Sequence, residues 1–303
     1  MISKFRIGVL VIILNFFASV AMIWGQVENP SLLQMAVPSL NIAPDARGGG
    51  MGDMGAATLP DINSQYWNAA KYAFMGSKAG VSLSYTPWLR KLVNDVALVN
   101  MTGYYKLGNS DLQAISASLR YFSLGEVNIW ENIGDVPRGV NPYEMAFDVA
   151  YSRKLSESYS MAVTLRYIRS DMGTDQNDES NAGNAFSADI SGYLEKYVLM
   201  GNAEALWSFG FNLSNIGSKI SYDGGNTNQY LPAKLTLGTG LLYPIDDYNQ
   251  IGVYLDLNKY MVPYAPQKEE GETDADYQTR VDDYKSWSSL SGMLKSFTDS
   301  PNG

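Results

Sequence analysis

The sequence predicts an all-β protein: a transmembrane antiparallel β-barrel with a compact plug ahead of its first strand. Three observations predict it. From residue 79 to residue 258, apolar and polar side chains alternate with a period of two in nine successive runs. Each run is close to the ~9–11 residues of a tilted spanning strand. The connections between the runs are sorted, short polar turns against long loops. Ahead of the first run lies 44–74, PDARGGGMGDMGAATLPDINSQYWNAAKYAF, which is too Gly- and Ala-rich for a sheet and too broken by Pro44, Pro60 and Gly48–Gly50 for one helix. It nonetheless carries Tyr66, Trp67, Tyr72 and Phe74, which need something to pack against.

Composition narrows the function classes. The chain has 303 residues, no cysteine and no histidine, so disulfides, thiolate nucleophiles, His-based triads and His- or Cys-ligated metals are all excluded. Carboxylate, lysine or tyrosine chemistry survives that filter, but no spacing singles out a nucleophile with a base. No catalytic residue, cofactor or metal is therefore expected. The balance of 22 basic to 31 acidic residues argues against nucleic acid as a partner. Aromatics are plentiful, with 21 Tyr, 6 Trp and 10 Phe, while charged residues make up only 17%. A lipid face alternating with a wet interior gives that mixture.

Residues 1–25 read as a secretory signal peptide: Lys4 and Arg6 flank the apolar run 7–14, which 16–23 extends. Cleavage is placed after Gly25, with Ala21 a second candidate. Past residue 25 no stretch approaches the ~20 apolar residues of a spanning helix, so a membrane crossing must be made by strands. Residues 26–78 then form an extension and plug, 79–258 the barrel strands, and 259–303 an extramembrane segment.

The predicted strands are 79–89, 95–106, 112–122, 144–152, 159–169, 185–195, 204–215, 233–243 and 248–258. Short turns at 109–111, 156–158, 196–202 and 244–247 alternate with long connections at 125–143, 172–184 and 216–231; only 90–94 is short on the loop side. A soluble sandwich has no reason to sort its connections this way, whereas a barrel with turns inside the cell envelope and loops outside does. Tyr85, Trp88, Tyr104, Tyr121, Tyr151, Tyr167 and Tyr243, near strand ends, suit interfacial girdles. Arg120, Asp148, Arg166 and Asp189 fall on polar faces of four successive strands with alternating sign, and Asp256 lies on the polar face of the last. Asp148 and Arg166 come nearly opposite each other across the turn at 156–158, a pairing that fixes register. After residue 258 comes an acidic stretch, 268–276. Tyr277, Val281, Tyr284, Trp287, Leu290, Leu294 and Phe297 then recur at three- and four-residue spacing, one face of an amphipathic helix with Thr273 as N-cap and Gly292 as its weak point. About nine strands is an odd count, which suggests that further C-terminal strands belong to the barrel.

The stretches 42–75 (IAPDARGGGMGDMGAATLPDINSQYWNAAKYAFM), 80–98 (GVSLSYTPWLRKLVNDVAL) and 117–127 (ASLRYFSLGEV) together resemble the PorV family of type IX secretion outer-membrane barrels, also described as lipopolysaccharide O-deacylase-like. The resemblance implies a FadL-like barrel of about fourteen strands in the full protein. Residues 44–74 become its hatch, with Pro44, Asp45, Arg47, Gly52, Asp53, Trp67 and Asn68 at its centre. Where that family has Asn-Pro-Ala, this chain has Asn68-Ala69-Ala70. By resemblance the function is that of a carrier. It would bind secreted cargo by its C-terminal signal domain at a large outer-membrane translocon, then pass it to a sortase-like attachment complex. Outer-membrane lipid and lipopolysaccharide would surround it. Extracellular loops would do the binding, with Trp88, Arg90, Lys91, Ile129, Trp130 and Ile133 as candidates. Two alternatives remain: a FadL-like channel for hydrophobic molecules, which inward faces of Ser, Thr, Gly and Asp fit poorly, and an O-deacylase, which lacks a nucleophile–base pair.

Overall fold

The structure, a computed structural model, describes residues 33–93, 95–108, 111–129, 136–173, 182–201, 203–225, 227–269 and 271–298. The predicted signal peptide lies outside them. Eleven strands follow in order: β1 (Ala79–Pro87), β2 (Val96–Leu107), β3 (Gln113–Leu124), β4 (Val127–Ile129), β5 (Arg138–Val140), β6 (Tyr143–Lys154), β7 (Tyr159–Asp171), β8 (Gly183–Met200), β9 (Ala203–Gly217), β10 (Lys234–Pro244) and β11 (Gln250–Tyr260). Nine of them form one antiparallel sheet in the order β1-β2-β3-β6-β7-β8-β9-β10-β11, a pure meander. The short β4 and β5 make a separate hairpin inside the long loop between β3 and β6.

The period-two pattern dictates which side chain goes where, and the result is inverted relative to a water-soluble sheet. Outward positions are apolar and exposed: Val81, Leu83, Leu119, Phe147, Val163, Leu165, Phe186, Leu237, Val253 and Leu257 among them. Inward positions are polar or small and buried, including Asn100, Ser116, Ser118, Asp148, Ser160, Thr164, Ser191 and Asn212. What they are buried against is the chain ahead of β1. Residues 36–75 fold into α1 (Ala46–Gly50), α2 (Ser64–Trp67) and two 3-10 turns, Pro38–Asn41 and Ala69–Phe74. Both edge strands hold this segment: Ser84 of β1 donates to the Pro44 carbonyl at 2.5 Å, and Asp256 of β11 accepts from the Gly55 and Ala56 amides at 2.8 and 2.9 Å. The sheet thus curls around its own N-terminal segment.

Four expectations need correction. The connection 196–202 is mostly strand: β8 runs to Met200 and β9 starts at Ala203, because Lys196–Met200 pair in register with Ala203–Trp207. Gly201, at φ +67°, lies between the two strands. Tyr104 is no girdle residue. It sits at an inward position, 5% exposed, and stacks on Tyr72 with ring centroids 4.9 Å apart. The other proposed girdle residues Tyr85, Tyr121 and Tyr151 do face outward. The C-terminal helix is two helices, α3 (Asp274–Ser286) and α4 (Ser289–Lys295), since Trp287 and Ser288 both take extended backbone angles. Thr273 caps α3 as expected, accepting from the Asp276 amide. Leu290, Leu294 and Phe297, expected on the apolar face of one helix, are exposed, and α4 instead packs through Met293 and Gly292. Gly292 is a packing residue, because a Cβ there would press on the Tyr230 ring.

Candidate functional site

The plug is built from local chemistry. Asp45 starts α1 by accepting from the Gly48 amide at 2.7 Å, and its other oxygen accepts from the Trp67 indole N–H at 2.8 Å. The indole then lies against Gly48 and Gly55, where a Cβ at either position would overlap it. Gly52 and Asp53 both take left-handed angles, φ +82° and 58°, to close the turn after α1. Arg47 pairs with Asp61. Asn68 caps the following 3-10 turn through the Ala70 amide, which holds the chain where the resembling family has proline. Its amide group also donates to the carbonyls of Ala56 and Gly192, both at 2.9 Å.

The barrel wall answers this segment strand by strand. Arg120 of β3 donates to the Ile42 carbonyl and lies over the Tyr66 ring at 4.8 Å. Gln65 of the plug donates to Asp148 at 2.5 Å and accepts from Ser116 at 2.6 Å. Ser160, Ser208 and Asn212 donate to the carbonyls of Ala70, Ala57 and Trp67. At Gly210 of β9 the wall and plug come so close that a Cβ would collide with the Ala56 carbonyl. Three of the four predicted charges come together: Asp148 stands opposite Arg166, with a 3.2 Å ion pair, and Arg166 reaches on to Asp189 at 2.8 Å, while Arg120 stands opposite Ala146. Asn215, at the bulge between β8 and β9, completes the cluster by accepting from Arg166 and donating its amide N–H to Asp189. Between plug and wall remains a narrow cavity lined by Asn100, Arg120, Asn212, Lys234, Thr236 and Asn258 among others. That lining is polar and suits water or peptide groups better than an aliphatic ligand.

At the loop end, the β1–β2 hairpin exposes Trp88, Leu89, Leu92 and Val93 beside Arg90 and Lys91. The β4–β5 hairpin exposes Val127 and Ile129, with Val136 next to it 91% exposed. Asp95 ties the two together: its carboxylate accepts from the Glu126 amide at 2.7 Å, while its carbonyl accepts from the Ser123 hydroxyl. Trp130 and Ile133 lie outside the described residues. Reading the sequence alone missed Gln65, Asn212, Asn215 and Asp95. Only Asp95 had a usable signal, a lone carboxylate at the start of an apolar strand; the other three are ordinary amides whose roles depend on long-range register.

A meander that is greasy outside, hydrogen-bonded inside, and short-turned at one end defines an outer-membrane β-barrel. Among the described residues no helix is long and apolar enough to cross a membrane. The model of the family described as type IX secretion system protein PorV matches residues 26–268, and the chain belongs to that family. It is accordingly an outer-membrane component of that secretion system. Among curated proteins no match is found.

Proposed function

We propose that this barrel is a cargo carrier: it binds secreted proteins by their C-terminal signal domain as they leave the translocon, and hands them to a sortase-like attachment complex at the cell surface. The observation that supports this reading is the apolar patch at the loop end, presented by two hairpins that Asp95 fastens together. An apolar surface beyond the bilayer, rimmed by Arg90 and Lys91, suits docking a folded domain. The plug, 36–75 among the described residues, keeps the lumen closed while the loops work. A channel for hydrophobic molecules is the weaker reading, because the space beside the plug is lined by amides, hydroxyls and charges.

The test is recovery of cargo from native outer membranes on the tagged barrel. Trp88→Ala with Leu92→Ala, and separately Trp130→Ala, should lower co-recovered signal-domain cargo several-fold while the barrel keeps its heat-dependent gel shift. Full cargo recovery by both variants would overturn the proposal.

A further inference from the structure

The outer wall is not uniform. On β2 and β3, Gly103 stands directly opposite Ala117, and both point outward. Two of the smallest side chains side by side leave a depression in a surface otherwise made of large ones. Met101, Leu119, Phe147 and Val149 form its rim, and the groove measures about 480 Å³. It lies among residues that face hydrocarbon, so what fills it must itself be apolar. An unfilled notch would forfeit dispersion contacts on one side.

Charge and aromatic placement say more about the occupant. Toward the turn end of the same strands, Tyr105 and Tyr151 face outward, as rings do at headgroup level. Lys78 reaches over the Tyr105 ring at 5.9 Å; its ammonium pairs with Asp111 at 3.4 Å and donates to the Gly108 carbonyl. Arg153, outward on β6, stands opposite Gln113 and makes no ion pair among the described residues. From Ala117 to Gln113 is four residues, or about 13 Å along the strand. That is close to half of the ~30 Å hydrocarbon thickness, one leaflet's worth of acyl chain. Cations at one end and an apolar groove reaching about one leaflet inward match an anionic phosphate carrying a fatty tail. Short turns lie on the periplasmic side of such barrels, which selects the inner leaflet.

We propose that the β1–β2–β3–β6 wall holds one periplasmic-leaflet glycerophospholipid, its phosphate on Arg153 and Lys78 and one acyl chain laid in the notch over Gly103 and Ala117. The site is separate from the loop patch and does not depend on what the loops bind.

Native mass spectrometry of the purified full-length barrel, titrated with palmitoyl-oleoyl phosphatidylethanolamine, reads it directly. One lipid should be retained after the detergent is stripped. Ala117→Leu, which fills the notch, should lower that occupancy at least fivefold, as should Lys78→Gln combined with Arg153→Gln. Val253→Leu on β11, at the other edge of the sheet, should leave it unchanged. The heat-dependent gel shift checks folding, and Gly103→Ala replaces Ala117→Leu if that variant does not fold, since a Cβ at Gly103 meets only ordinary contacts. Undiminished retention by either notch-filling or charge-removing variant would overturn the proposal. So would loss of a dimer mass or of a co-purifying protein on filling the notch, because the occupant would then be a polypeptide.

Discussion

Arg166 carries the densest polar contacts in the barrel interior, and its worth follows from what surrounds it. It stands between Asp148 and Asp189, and all three are buried. Removing one partner of such a cluster leaves carboxylates with no counter-charge, which costs about 3–5 kcal/mol, whereas removing the whole set is far cheaper. Arg166→Met should therefore lower the denaturant midpoint of the folded barrel markedly. Adding Asp148→Asn and Asp189→Asn should recover most of the loss, and failure to recover would show that the cluster does not act as a unit. Gly210 makes a second test at this scale. Its missing Cβ is what admits the Ala56 carbonyl, so Gly210→Val should push the plug off β9 and expose residues 44–74 to protease while the gel shift survives. The charge cluster was legible in the sequence because alternating sign on successive polar faces is visible without coordinates. The Gly210 contact was not, because nothing local marks which of many inward glycines meets the plug.

Among the elements, the strand ends were legible to within about two residues, the end of β8 excepted, since a half-buried strand repeats every two positions whatever it packs against. Loops were less so. The β4–β5 hairpin is only three residues a side, too short for alternation to register. The single C-terminal helix failed because a three- and four-residue period continues across Trp287 and Ser288, though their backbone leaves the helix. The proposed cargo surface lies where legibility was poorest. If Asp95 fastens the two loop hairpins, Asp95→Ala should reduce cargo recovery as much as Trp88→Ala with Leu92→Ala does, without touching the gel shift; intact recovery would separate the loops. The loop around Asp223 carries its own acid switch. Asp223 hydrogen-bonds the Thr227 side chain, accepts from the Thr227 amide at 2.8 Å and from the Ser221 hydroxyl at 2.7 Å, and these bonds, the Thr227 side chain's first, hold its carboxyl down at about 2. A depressed carboxyl stabilises its loop above the unfolded value of 3.8 and loses that contribution as pH falls through the folded one. Proteolysis of this loop by an acid-active protease should rise as pH drops from about 4 to 2, and Asp223→Asn should show the high rate throughout.

For the whole molecule, one arrangement carries both the fold class and the cellular placement: apolar side chains outward, polar ones inward against a plug made by the same chain. A sheet with water on its outer face would be indifferent to a charge placed there, whatever its height along the strand. A sheet in a bilayer would not, and the penalty would depend on depth. Leu165 lies at the centre of β7 and is 66% exposed, whereas Ile251 faces outward on β11 near a short turn at 55%. Both are well exposed, so a difference between them reports depth. Arginine at the bilayer centre costs about 2–4 kcal/mol, and near the interface about 0–1. Leu165→Arg should thus weaken the barrel in lipid vesicles by roughly that larger amount, and Ile251→Arg by little. Denaturant unfolding from vesicles measures both. Equal effects would place the outer face in water and remove the basis for reading the loops as a surface held outside a membrane.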